Sequence, residues 1–185
     1  MLPDFYDPDA VIETERLMLR PLEERDALSV YREINHDPEV LRYYLAPYIE
    51  REEDASVSGM IASCRAQKMY IFAVVNKESG QLIGMLNQCS APNMYFRSLE
   101  LGYAFGRAHW NQGYATEALR AAIDFMFLRG IHKLTCCHIV ENAASGRVMQ
   151  KAGMIYEGIR PSEIYYHGKY WDTANYYILN PDDEV

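Results

Sequence analysis

Several things are scarce or missing in these 185 residues, and each absence removes a class of protein. No apolar run is longer than Met69–Val75, far short of the about 20 residues that cross a bilayer. The four cysteines, Cys64, Cys89, Cys136 and Cys137, form no C-x-x-C pair, which indicates neither a zinc site nor a redox motif. Cys136 and Cys137 are adjacent in a strand-like run, so their side chains should point to opposite faces and cannot easily share an ion. All four read as reduced, mostly buried thiols, with no metal site expected. Cations are in the minority, 18 Lys and Arg against 26 Asp and Glu, a formal net charge of −8. A sequence-independent nucleic-acid binder needs clustered Lys and Arg, so nucleic acid is not an expected partner. Met1-Leu2-Pro3-Asp4-Phe5 lacks the basic start and apolar stretch of a signal peptide. A soluble cytoplasmic protein without a membrane partner is the expectation.

What is present is ordinary globular usage, 49% apolar and 24% charged, in a chain long enough to bury a core. Without repeats or low-complexity linkers, residues 1–185 read as a single domain. Arg16 to Arg20 alternates like a strand and stops at Pro21. Ala27, Leu28, Tyr31 and Ile34 predict a helix over Glu24 to Asn35, and a second helix is expected from about Glu52 to Ala66. Tyr70 to Val75 and Leu82 to Cys89 read as strands joined by a turn at Lys77–Gly80. Ala91-Pro92-Asn93 marks a loop, and Leu99 to Phe105 is a further strand. Ala115, Ala118, Leu119, Ala122, Ile123, Met126 and Phe127 form the clearest helical stripe, with Gly130 placed to cap it. Lys133 to Val140 reads as a buried strand, followed by a short helix from about Ala143 to Gly153. Strands near Ile155–Arg160 and Trp171–Leu179 flank a turn at His167-Gly168. Strands mixed with helices that pack on both faces give an α/β sandwich with a mixed sheet.

The segment Glu100-Leu101-Gly102-Tyr103-Ala104-Phe105, a loop, and Trp110-Asn111-Gln112-Gly113-Tyr114-Ala115-Thr116-Glu117-Ala118 reads as strand, tight turn and helix start. Gly113 lets backbone approach a ligand, Ala115 keeps the first turn uncluttered, and free N–H groups with the helix dipole suit a pyrophosphate. A plain strand-to-helix turn would use the same glycine, and spacing alone leaves both readings open.

Gly113-x-Ala115 followed by Thr116-Glu117-Ala118-Leu119 resembles the acetyl-CoA motif of the GNAT superfamily. Trp110 at the usual Gln/Arg position is similar to the ribosomal-protein N-terminal acetyltransferase (RimJ/RimL-like) branch. Thr14-Glu15-Arg16-Leu17-Met18-Leu19-Arg20 resembles that branch's first strand. Asn142-x-x-Ser145-x-Arg147-Val148-Met149-Gln150-Lys151-Ala152-Gly153-Met154 resembles its last helix, and Gly168-Lys169-Tyr170-Trp171-Asp172 its closing hairpin. The resemblance implies a three-layer α-β-α GNAT fold, an α/β fold whose mixed, largely antiparallel sheet of about seven strands has splayed central strands, and acetyl-CoA as acyl-donor cosubstrate. It places the pyrophosphate on backbone amides of Gln112, Gly113, Tyr114, Ala115 and Thr116. The pantetheine arm would pair with the strand through Tyr103, Ala104 and Phe105.

Asn142 reads both as the cap of the last helix and as a pantetheine contact. Ser145 and Met149 lie one turn apart on one helix face. Many family members carry a tyrosine acid at the position of Met149, which cannot donate a proton. The resemblance to the RimJ/RimL-like branch implies Ser145 as donor to the departing thiolate, directly or through water, and a solvated serine at the helix start is the alternative. Glu100 is the candidate general base, and a surface carboxylate at a strand end is the alternative. His138 reads as a packed histidine, and His109 as exposed or beside the cofactor. Tyrosines cluster at Tyr43, Tyr44, Tyr48 and at Tyr165, Tyr166, Tyr170. They could wall a site for a cationic amine, or serve core or interface packing, which leaves a homodimer open. The expected activity is acetyl transfer to a primary amine, either a peptide N-terminus or a small amine, by direct attack. A non-catalytic acyl-CoA-binding module of the same fold is the alternative, kept open by Met149.

Overall fold

A computed structural model of the chain describes residues 5–91 and 95–183. Met1–Asp4, and the Pro92-Asn93 part of the expected loop, lie outside them. The chain begins with β1 (Ile12–Glu13) and β2 (Leu17–Pro21). The expected first helix is present in pieces. A 3₁₀ turn at Glu24–Asp26 leads into α1 (Ala27–Val30), which continues as a π turn over Tyr31–Asn35. Helix α2 (Pro38–Leu41) follows, with proline in its first turn and the Asp37 carboxylate accepting from the Glu39 N–H.

The second expected helix starts late, as α3 (Ser58–Ala66), and Glu52–Asp54 form only a 3₁₀ turn. There Arg51 ties down Asp54 at 2.9 Å, and the Ser56 hydroxyl accepts from the Ser58 N–H at 3.4 Å. These local side-chain bonds offer the backbone an alternative to the helix. Strands β3 (Ile71–Asn76), β4 (Leu82–Gln88) and β5 (Ser98–Phe105) come next. Helix α4 (Tyr114–Leu128), β6 (Lys133–Ile139) and α5 (Ala143–Lys151) follow, then the hairpin β7 (Ile155–Tyr166) and β8 (Lys169–Leu179).

Among the described residues the sheet has eight strands in the order β1-β2-β3-β4-β5-β6-β8-β7, one more than expected. The extra strand is β1, whose two residues pair with Met18 and Leu19 and are too few to show an alternation. Strand β7 also outruns its expected end at Arg160. A register shift between Arg160 and Ile164, with Ser162 at φ +51°, carries the edge strand past Pro161.

Alternation along the strands divides the interior into two cores. Leu17, Leu19, Phe72, Val74, Ile83 and Leu99 face α4 and α5, and their cluster includes Leu119, Met126 and Met149. Ile71, Ala73, Val75, Leu82 and Met85 face the other way, packing with Val30, Ile34, Leu41 and Ile61. Both faces of β3 are therefore covered, which is why its sequence is apolar from Ile71 to Val75. Of the cysteines, all free, only Cys136 is fully buried. Cys64 and Cys137 are half-buried and Cys89 is exposed just past β4, so the expectation of mostly buried thiols fails.

Candidate active site

Every neighbouring pair in the sheet is antiparallel except β5 and β6. Those two pair only through Ser98–Glu100 with Lys133–Thr135. Beyond that point β5 stays with β4 to Phe105 and β6 stays with β8 to Ile139, so the two strands diverge. The result is the expected splay, with a wedge between 101–105 and 136–139. Because β5 and β6 run in parallel, α4 and α5, which follow them, both begin at the open end of this wedge. Crevices outside the carboxyl ends of parallel strands are where α/β sheets bind ligands.

The start of α4 is built to stay open. Gly113 precedes its first residue at φ +84°, a left-handed conformation that suits glycine, and no side chain caps the helix. The first N–H groups after it have no acceptor within the helix. Trp110 folds back so that its indole N–H donates to the Phe105 carbonyl at 2.7 Å, and the Gln112 amide donates to the Ala108 carbonyl at 2.8 Å. Both bonds tighten the loop against the end of β5. His109 is not free in solvent: its ring Nε2 lies 3.4 Å from the Glu33 carboxylate and its side chain is largely covered.

The start of α5 differs. Asn142 caps it, its side-chain oxygen accepting from the Ser145 N–H at 3.4 Å. The Ser145 hydroxyl meets the Tyr103 hydroxyl at 2.9 Å, and the same phenol donates to the Ser145 carbonyl at 3.1 Å. Tyr103 thus reaches from β5 across the wedge to α5, a side-chain role that its place in the strand did not disclose. Burial pushes this phenol well above its ordinary pKa, against the pull of the Ser145 hydrogen bond, so it stays a neutral donor. Met149, one turn on, is buried in the main core. Ala104 and Phe105 are buried on opposite faces of β5, leaving only their backbone to the wedge.

Glu100 sits at the apex, on the last residue pair before the strands part. The half-buried Cys137 thiol, from β6, donates to its carboxylate at 3.2 Å. Burial first, and the Glu100 charge next, raise the pKa of that thiol, which stays protonated. Two residues along β5, Gly102 keeps the same face low: a Cβ there would lie 2.6 Å from the Cys89 sulfur. The Tyr44 hydroxyl approaches this face, donating to Asn87 at 3.4 Å.

The tyrosine clusters come together here. The Tyr166 hydroxyl, on the β7–β8 hairpin, approaches the carbonyls of Leu41 at 2.9 Å and Tyr44 at 3.0 Å, and Tyr43 meets Trp171 edge-on at 6.2 Å. Tyr48, Tyr165 and Tyr170 stay exposed. A second carboxylate, Glu163, went unassigned because the strand was expected to stop at Arg160. Burial opposes its charge, but hydrogen bonds from Thr173 and Arg160 hold its pKa below the ordinary range. His138 stacks on Tyr176 with its Nδ1 2.8 Å from the Ile139 carbonyl, on the opposite face from Glu100 and Cys137, as a packed histidine should.

Comparison with known proteins now bears on this arrangement. The Acetyltransferase (GNAT) domain family matches residues 16–155. An uncharacterized N-acetyltransferase of Bacillus subtilis, YoaA, is 29% identical over 92% of this chain and 97% of its own. The ribosomal protein uS5-alanine N-acetyltransferase of Escherichia coli is 26% identical over 95% of this chain and 93% of its own. Among solved structures, RimL, a ribosomal L7/L12 α-N-protein acetyltransferase in complex with coenzyme A, superposes with a TM-score of 0.83 at 20% identity. That match covers 94% of this chain and 100% of RimL. The chain belongs to the GNAT acetyltransferase family. It is an N-acetyltransferase of that family, and the RimL structure that it resembles in fold holds coenzyme A. Among the described residues no helix is long and apolar enough to cross a membrane.

Proposed function

We propose that the enzyme transfers acetyl from acetyl-CoA to a primary amine by direct attack within a ternary complex, the acceptor being a peptide N-terminus. The observation that carries this reading is the junction of an uncapped, glycine-led helix start with a wedge that has a carboxylate at its apex. The backbone amides of Gln112–Thr116 face the pyrophosphate, the free edge of β5 at Tyr103–Phe105 takes the pantetheine arm, and Asn142 closes its other side. The amine nitrogen attacks the thioester carbonyl, the C–N bond forms and the C–S bond breaks.

Glu100 takes the proton that the attacking ammonium must lose, directly or through a water. Most of the acceleration comes from orientation and from backbone dipoles at the carbonyl oxygen. The Tyr103 proton, shared between the Ser145 carbonyl and hydroxyl oxygens, leaves the Ser145 hydroxyl its own proton to donate to the sulfur as charge grows there. The uS5-alanine relative, which acts on a protein N-terminus, supports the peptide acceptor over a small amine. The aromatic wall of Tyr43, Tyr44, Tyr166 and Trp171 suits a chain extending away from the amine.

Thiol release from acetyl-CoA, measured against a panel of alanine- and serine-starting peptides and polyamines, tests the reading. Turnover with peptides is expected to exceed that with polyamines, and the reverse ranking would reassign the acceptor. Glu100→Gln keeps shape and removes basicity, and its rate should fall about a hundredfold at neutral pH. A rate near wild type would move the base elsewhere.

A further inference from the structure

Arg16 was recognised only as part of a strand motif, yet in the fold it lies against the glycine turn of α4. Its Nη1 donates to the Gln112 carbonyl at 3.0 Å, and an Nη2 atom would sit 3.4 Å from a Cβ built on Gly113. The rest of the guanidinium is fixed. Nε donates to Glu117 Oε2 at 2.7 Å, Nη2 lies 2.6 Å from the same oxygen, and the group stands 4.5 Å over the Tyr114 ring. The other Glu117 oxygen accepts from the Arg16 N–H at 3.0 Å and from the Thr14 hydroxyl at 2.6 Å. The Arg16 carbonyl, in turn, accepts from the Lys77 N–H at 2.9 Å.

A cation is out of place at the positive end of a helix dipole, and Glu117 balances its charge without requiring it to be there. Its bond to the Gln112 carbonyl supplies a reason. A trans peptide is planar, so its C=O and N–H point in opposite directions. Holding the Gln112 oxygen outward fixes the Gly113 N–H inward, toward the mouth of the cradle. A charged donor on the carbonyl also polarises the peptide and strengthens its N–H as a donor. Gly113, at φ +84°, sits next to the most rotatable point of the turn, and without this restraint the peptide could flip.

We infer that Arg16, braced by Glu117 and Thr14, is a positioning residue that orients the Gln112–Gly113 peptide for the pyrophosphate of acetyl-CoA. The inference rests on the cradle assigned under the proposed function and adds a residue on the far side of the turn. It needs no contact between Arg16 and the ligand.

The experiment compares two ligands in competition with acetyl-CoA: CoA, and pantetheine, which lacks the pyrophosphate. In Arg16→Gln the CoA affinity should fall about tenfold while pantetheine changes less than twofold. Parallel losses for both ligands would reduce Arg16 to a general support of the fold, and no loss for either would overturn the inference as well. Arg16→Lys separates orientation from charge and serves also if the glutamine variant fails to fold. A lysine has one nitrogen for both the Gln112 carbonyl and Glu117, so a CoA-selective loss of a few-fold is expected. Full wild-type affinity in Arg16→Lys would assign the effect to charge and overturn the orienting role. Failure of the wild-type enzyme to bind CoA at all would instead strike the cradle itself.

Discussion

Two helices start at the same end of the same wedge, and their starts are opposite in kind. Helix α4 opens on a left-handed glycine with no capping side chain, whereas α5 opens on Asn142, whose own oxygen accepts from the Ser145 N–H. One start leaves its donors for something outside the protein. The other satisfies a donor internally and uses its exposed turn to hold a hydroxyl in place. The proposed acetyl transfer would use both, the first as an anion site for the pyrophosphate and the second as a donor beside the sulfur. Under that proposal the difference between the two caps lets one architectural element, used twice, do two jobs.

The largest effect should come from destroying the open start. Gly113→Glu places a β-carbon at φ +84° and a negative charge against the phosphates. Acetyl-CoA affinity should fall about a hundredfold or more, so that the melting temperature no longer rises with CoA at concentrations that stabilise the wild type. A persisting rise would show that α4 is not the anion site.

Next comes the hydroxyl held over α5. Ser145→Ala and Tyr103→Phe should each lower turnover about tenfold with cofactor affinity within a few-fold, because the bond matters most as thiolate charge develops. Their double variant should be little worse than either alone, as expected for two members of one hydrogen-bonded pair. Additive losses would mean that the 2.9 Å contact between them has no part in turnover.

A pH profile sharpens the contrast from the other side. Burial opposes the Glu117 charge, but the bonds from Thr14 and Arg16 win and hold its pKa below the ordinary 4.5. A depressed carboxylate contributes stability that is present above its unfolded pKa and lost as pH falls through the folded one. CoA affinity, followed by calorimetry, should therefore persist down through pH 4.5 wherever the fold survives, and decline only below it. Loss already at pH 5 to 6 would break the link between the Glu117 carboxylate and the cradle.

The smallest effect belongs to the closed start. Asn142→Ala should cost about 0.5 kcal/mol, the low end for a cap given the 3.4 Å bond, or roughly 1–2 °C in melting temperature. A much larger drop in acetyl-CoA affinity alongside it would show that Asn142 is chiefly a ligand contact.

The contrast also marks how much could be read from residues in order. Gly113 and the Ala118–Leu119–Ala122–Ile123–Met126 stripe were legible because turn chemistry and helical periodicity are local. So was the place of Asn142 before its helix, and so was the divergence of the strands through the family motif. Tyr103 was read only as strand backbone, since nothing in an alternating run says which helix its hydroxyl will reach 42 residues later. Arg16 was read as part of a strand, although its guanidinium closes on a turn 96 residues away. Glu163 was missed for a different reason: the strand was expected near Ile155–Arg160, and it in fact runs on past Pro161 by a bulge at the sheet edge. The expected Glu52–Ala66 helix was overextended because acidic residues that favour a helix start were instead tied up by Arg51.

By itself, then, the sequence determined the periodicities, the glycine that only one kind of turn accepts, and the order of elements that identifies the family. Those are properties of neighbours, set by sterics and by the spacing of apolar side chains. Only the tertiary structure decided that Glu100 stands at the apex of the wedge against the Cys137 thiol, and that Tyr103 holds Ser145. It alone also decided that Arg16 backs the turn at Gly113. Each of these is a hydrogen bond between residues dozens of positions apart, whose partners are chosen by strand pairing and helix packing and by nothing local.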